Sequence, residues 1–241
     1  MGLDSTAVLG HEIEAEGLWE LPQLLSPAHA PRLADTIAEF DRQANEYMVV
    51  KHQLPPGFYR AAEQTWTVCP TRLLLFKDTT GALTLEEPPA TYEDIGAGSR
   101  QIHFSPVAAW RTVGVEEWWA MKKPVEVDGP PGLNLTIGPH TLQLYCWLRW
   151  GIFLSEPTLQ LALRRVCHEF ALVVGSPMAI YVSDARTPID AIVDGLTIEE
   201  IVAQLRAGLD TLRPILSVID KDSALDNSDH DAYYLDAFAD L

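Results

Sequence analysis

The chain has 241 residues, 47% hydrophobic and 21% charged, a balance that suits one folded domain and excludes an intrinsically disordered chain. Its 17 basic and 34 acidic residues give a formal net charge of −17. A field of that sign repels phosphates and anionic headgroups, so binding to nucleic acid or to a membrane surface is not expected, whereas a basic protein partner is.

Near the N-terminus, STAVLG reads as a short strand and GLWELPQLL as a brief helix or turn interrupted by Pro22. The opening MGLDSTAVLGHEIEAEG has neither a basic leader nor an apolar run of secretory length, which points to a cytoplasmic protein. No apolar stretch reaches the roughly 18 residues of a membrane span. From Pro31, the residues Leu33, Ile37, Phe40, Ala44 and Tyr47 step by three and four, predicting a helix to about Met48.

The middle of the chain is β-rich. RLLLFK (Arg72 to Lys77) and ALTLE (Ala82 to Glu86) flank Asp78-Thr79-Thr80-Gly81, a hairpin signal because glycine supplies the positive φ of the loop. EEPPATYEDIGAGS reads as a loop leading into the strand RQIHFS, and VEEWWAMKK as a helical turn. After DGPPG comes the strand LNLTI. The nearly unbroken apolar run TLQLYCWLRWGIFL then suits a long strand buried on both faces.

The last third alternates. Ser155 is expected to cap a helix whose first turn holds Glu156 and Pro157 and whose stripe is Leu159, Leu163, Val166, Cys167, Phe170 and Val173 or Val174, closed by Gly175. MAIYVS follows as a buried strand. Thr197 and Glu200 form a capping box for a helix through Ile201, Leu205, Leu209 and Leu212 that stops before Pro214. The order argues for an α+β or mixed α/β fold: a mixed sheet with central hairpins and a C-terminal strand-helix-strand-helix segment, with helices covering the sheet. Residues 1–219 are expected to form a single domain and residues 220–241 an acidic-aromatic tail.

Three cysteines, Cys69, Cys146 and Cys167, lie far apart in apolar surroundings and read as reduced, buried thiols. In such a compartment the Asn134-Leu135-Thr136 sequon is without meaning. His168-Glu169-Phe170-Ala171-Leu172 starts like a zinc-binding HExxH helix but has leucine at the fifth position, so one ligand is missing. Cys167 and His168 diverge by about 100° on a helix and cannot act as nucleophile and base together. The two glycines of IGAGS do not make a phosphate loop, and Gly175-Ser176-Pro177 is no nucleophile elbow.

Two constellations remain. Asp184, Asp190 and Asp194 follow the MAIYVS strand, where carboxylates from a loop could hold a divalent cation or act as acid and base; the bland reading is that they form turns and caps. The C-terminal DNSDHDAYYLDAFADL interleaves aspartates with aromatic residues. Asp229, Asp231, Tyr233, Tyr234, Asp236 and Phe238, with the adjacent Trp118 and Trp119, are the expected contacts for a partner, unless the aromatic stripe docks on the protein's own core. Read together, these features favour a non-enzymatic acidic protein that holds a basic partner in the manner of an immunity protein or antitoxin, with no cofactor. The alternative is an enzyme of dispersed active site that includes the Asp184, Asp190 and Asp194 loop. A weaker one is self-assembly through the tail.

Overall fold

The fold alternates between the two-residue period of strands and the 3.6-residue period of helices. The computed structural model describes residues 3–12, 24, 29–51, 53, 73–77, 91–96, 99–104, 125–128, 133–137, 140–208, 211–219 and 224–241. The first half holds β1 (Asp4–Gly10), α1 (Pro31–Lys51), β2 (Leu73–Lys77), β3 (Thr91–Gly96), β4 (Ser99–Phe104), β5 (Val125–Asp128) and β6 (Leu133–Ile137). The second holds β7 (Thr141–Arg149), α2 (Trp150–Ser155), α3 (Pro157–Val174), β8 (Ala179–Ser183), a 3-10 turn (Asp184–Arg186), α4 (Ile189–Val193) and α5 (Ile198–Ala207). It ends with β9 (Leu212–Pro214), α6 (Leu216–Ile219), α7 (Asn227–His230) and β10 (Tyr233–Asp236).

The strands form one mixed sheet in the order β3-β4-β2-β5-β6-β7-β1-β8-β10-β9. Every pairing is antiparallel except β10 with β9. Because β1 runs antiparallel to both β7 and β8, those two are parallel to each other with β1 inserted between them. A parallel pair needs a crossover, and α2 with α3 supplies it. The order β7, helix, β8 is therefore a split strand-helix-strand unit.

Strand alternation sorts the core into two faces. Ala7, Leu9, Ala179, Tyr181 and Tyr234 pack with Leu33, Ile37 and Phe40 of α1 and with Leu159, Leu163, Val166 and Phe170 of α3. Val8, Ile180, Val182 and Tyr233 pack on the opposite face with Ile192, Ile198, Ile201, Val202 and Leu205 from the α4 and α5 side. The α3 stripe thus faces the sheet as its spacing predicts, with Val173 partly buried beside it. Gly175 closes α3 at φ 78°, a conformation that a side chain disfavours. The Thr197 and Glu200 capping box opens α5 as expected.

Several boundaries differ from the sequence reading. The run from Thr141 to Leu154 is not one strand: at Trp150 it becomes α2, because Trp150, Phe153 and Leu154 are all buried in a helical turn. Ser155 therefore ends α2, and Glu156 rather than Ser155 stands at the N-cap of α3, without a side-chain cap bond. Within the expected loop EEPPATYEDIGAGS lies β3, which pairs with β4 through Gly96 and Ser99. β2 forms, with β4 and β5 as neighbours, while Ala82 to Glu86 and the VEEWWAMKK segment lie outside the described residues. α5 ends at Ala207, and Leu212 belongs to β9 rather than to the helix.

The largest correction concerns the C-terminus. Residues 233–236, expected in a tail, form β10, which lies inside the sheet between β8 and β9. Tyr233 to Asp236 alternate between the two core faces, so the aromatic spacing serves a strand and not an exposed helical stripe.

Two outcomes follow for stability. Phe170→Ala is expected to cost about 3 to 5 kcal/mol by urea denaturation, since the ring is buried beneath α3. Truncation after Ser217 removes β10 from inside the sheet, and the truncated chain is expected to lose its cooperative thermal transition by circular dichroism.

Candidate functional site

The residues expected to grip a partner from the C-terminal segment are mostly inside the protein. Tyr234 is fully buried and donates its hydroxyl to the Asp229 carbonyl at 3.1 Å. Tyr233 is buried, donates to the Arg186 carbonyl at 2.9 Å, and carries the Arg186 guanidinium over its ring. Asp229 is buried and accepts from Arg213 at 2.7 Å, while Asp226 caps α7 in a reciprocal capping box with it. Phe238 is buried against His168, and its N–H bonds the Asp236 carboxylate at 2.8 Å. Only Asp231 of the six is exposed, and Arg186 donates to its carbonyl. As a contact surface this set is therefore corrected. Trp118 and Trp119 lie outside the described residues.

What the sequence reading missed is Arg164. It sits on α3 among the apolar residues, is 1% exposed, and reaches across to β10. Its Nε donates to Asp236 at 2.7 Å, and its Nη atoms donate to Asp240 at 3.0 and 2.6 Å. The Tyr181 hydroxyl donates to Asp236 as well, at 3.3 Å. Burial alone disfavours the guanidinium charge, but the bonds to Asp240 and Asp236 outweigh it and raise the Arg164 pKa. The same pairing holds Asp240 below the usual carboxylate range. The signal was present in the chain: Gln160, Arg164 and His168 recur every four residues beside the apolar stripe, and Asp236 and Asp240 share that spacing.

Beside this pair lies a groove of about 940 Å³ between α1 and α3, lined by Arg32, Asp35, Arg165, His168 and Glu169 among others. Arg32 and Glu169 bridge it at 2.7 Å. Three arginines, counting Arg164, meet three carboxylates, counting Asp240, so the lining is charge-balanced and marks no ligand of one sign.

Asp184, Asp190 and Asp194 do not come together as a metal site. Asp184 accepts the Asp4 N–H at 3.1 Å, Asp190 stands in the first turn of α4, and Asp194 caps its end. No group of three metal-ligating side chains exists among the described residues, so the weak metal assignment to these aspartates is not supported by their placement. They belong instead to an acidic surface: Asp184, Asp190, Asp194, Glu199 and Glu200 are all exposed along residues 184–200. The only base in that stretch, Arg186, is bound to the Asp231 segment and to Tyr233. Elsewhere Arg42 pairs with Glu39 and Glu46, and Arg149 with Asp4.

A second pocket of about 590 Å³ is framed by the end of β1, the last turn of α3 and the first turn of α5. Cys146 and Cys167 are buried free thiols, and burial pushes the Cys146 thiol up to about 12. No helix among the described residues is long and apolar enough to cross a membrane.

Arg164→Met is expected to destabilise the protein by about 3 to 5 kcal/mol, because it strands the buried Asp236 carboxylate without a counter-charge; chemical denaturation measures it. At high pH a further loss is expected. Tyr145 is pushed up to about 12 by its bond to Asp4, and Tyr234 and Cys146 to about 12 by burial. Raised pKa values mean that folding favours the neutral forms. Their stabilisation is complete below the ordinary 10.0 of tyrosine and 9.0 of cysteine and disappears as pH rises towards 12. Urea midpoints taken across that range should fall, and Tyr145→Phe should remove part of the dependence.

The chain matches no family model, no curated protein and no solved structure.

Proposed function

We propose that this is a non-enzymatic acidic binding protein that holds a basic protein partner, as an immunity protein or antitoxin holds its toxin, and that it does so in the cytoplasm. The observation that carries the reading is the separation of charge. Arginines 32, 42, 149, 164, 186 and 213 are engaged with carboxylates of the same chain, Arg165 and Arg206 are exposed outside the stretch from Asp184 to Glu200, and that stretch leaves five carboxylates exposed on the α4 and α5 side. An acidic surface of this kind accelerates encounter with a basic partner and penalises acidic competitors. Ile189, 38% exposed within the same run, offers apolar area for a contact that outlasts the encounter. Buried reduced thiols suit the cytoplasm.

The proposed contact surface is thus the α4 and α5 side rather than the C-terminal segment. To test it, the wild-type chain and a variant carrying Asp184→Asn, Asp190→Asn and Asp194→Asn are used as baits in lysate of the source cells, and captured proteins are identified by mass spectrometry. A basic protein retained by the wild type at low salt and depleted about tenfold on the variant is the expected result. Capture of the same proteins by both baits would rule the surface out.

A further inference from the structure

The pocket between the ends of β1 and α3 and the start of α5 carries two carboxylates in its lining. Its ionisable groups are the Glu12 and Glu199 carboxylates and the His11 and His140 imidazoles, with neither lysine nor arginine among the described lining residues. The last turn of α3 also opens onto it, through Ala171 and Leu172. A helix of 18 residues carries about half a negative elementary charge at that end. The first turn of α5 faces it with the opposite sign. That end is already answered, because Glu200 accepts the Thr197 N–H at 2.9 Å, the Thr197 hydroxyl accepts the Glu200 N–H at 3.2 Å, and the Glu199 carboxylate stands in the same turn. The carbonyls at the end of α3 are answered as well, since the Ser176 N–H bonds the Ala171 carbonyl at 2.9 Å and the Glu12 N–H bonds the Val174 carbonyl at 3.2 Å, so the pull on a cation comes from the Glu12 and Glu199 carboxylates.

The walls are fixed. Ser176 Oγ accepts the Gly10 N–H at 2.8 Å and donates to the Met178 carbonyl at 2.7 Å, tying the loop after α3 to the end of β1. At Gly10 a side chain would place its Cβ 2.9 Å from Ile198, so the residue type itself permits β1 to approach α5 this closely. His11 donates its backbone N–H to the His140 carbonyl at 2.9 Å, which closes the floor. At the lip stands Leu172, 60% exposed, an apolar surface beside the two carboxylates. A long basic side chain matches that combination, since its stem is apolar and its tip is charged.

We infer that this pocket receives an arginine or lysine side chain of the basic partner, with Glu12 and Glu199 meeting the charged tip and Leu172 covering the stem. The inference deepens the binding role proposed above and rests on it. Glu199 also belongs to the acidic run from Asp184 to Glu200, so the surface that attracts the partner leads into the pocket that holds it.

The test uses the full chain and two probes. In amide NMR titrations, N-acetyl-arginine amide is expected to shift the Glu12, Gly175 and Ser176 resonances saturably, while the neutral citrulline analogue does not. The double variant Glu12→Gln, Glu199→Gln alters only exposed side chains, so it should keep a cooperative melting curve lowered by a few degrees at most while weakening the amide about fivefold or more. A short arginine-rich peptide, measured at low salt, should lose affinity for that variant by a similar factor. If the peptide binds wild type and variant alike, the pocket assignment is overturned while the acidic binding surface stands. If the amide occupies the pocket and the peptide does not bind at all, the pocket stands and the basic-partner reading falls. Failure of both probes removes both.

Discussion

One buried guanidinium decides how this chain ends. Arg164 projects from the sheet-facing side of α3 with almost no solvent exposure, a position that is untenable for a charge unless acceptors surround it. Asp236 and Asp240 provide them, and both lie within the last six residues of the chain. The C-terminal segment must therefore fold back onto α3, which brings Tyr233 to Asp236 alongside β8 as a strand. Asp236 in turn bonds the N–H of Phe238, where the backbone turns at φ 57°, and Phe238 closes against His168. Ion pair, strand and turn form one connected unit.

This unit explains where sequence reasoning succeeded and where it failed. The α3 stripe, the glycine at its end, the MAIYVS strand and the α5 capping box were legible because each depends on residues close in sequence: periodicity, a positive φ, or a reciprocal cap three residues apart. The role of DNSDHDAYYLDAFADL was not, because it depends on a residue more than seventy positions away. Taken alone, aspartates around Tyr234 and Phe238 describe a segment that avoids a core. Once Arg164 is placed beside them, the same aspartates are the reason that segment can enter one. The break at Trp150 was hidden for a related reason: residues buried on both sides of a strand and residues buried in a tight helical turn look equally apolar. Parallel pairing of β9 with β10 was likewise invisible, since three residues carry no periodicity.

Charge is distributed with the same economy. The chain has half as many basic as acidic residues, and four arginines join separate elements: Arg164 to β10, Arg213 to α7, Arg149 to the start of β1, Arg32 to α3. Each joint neutralises a carboxylate that packing brings close. The surplus falls on elements that need no counter-charge for folding, above all the 3-10 turn, α4 and the first turn of α5, where Asp184, Asp190, Asp194, Glu199 and Glu200 face solvent. Their apolar neighbours Ile192, Ile198 and Ile201 bind this layer to the sheet, and the carboxylates above them remain exposed although Asp184, Asp194 and Glu200 also serve local turns and caps.

An exposed acidic surface by itself confers little affinity, because exposed ion pairs contribute about 0 to 1 kcal/mol each and are screened by salt. Its contribution to the proposed function is the rate and direction of approach. Retention requires contacts beyond open charge pairs, and the pocket where the ends of β1 and α3 meet the start of α5 brings two carboxylates, a helix C-terminus and an exposed leucine together. Two stages of recognition with different salt dependence follow from that division. The association rate should collapse as ionic strength rises, since the open surface acts over a Debye length. The dissociation rate should change less, since the apolar contact of a side-chain stem with Leu172 is not screened by added ions.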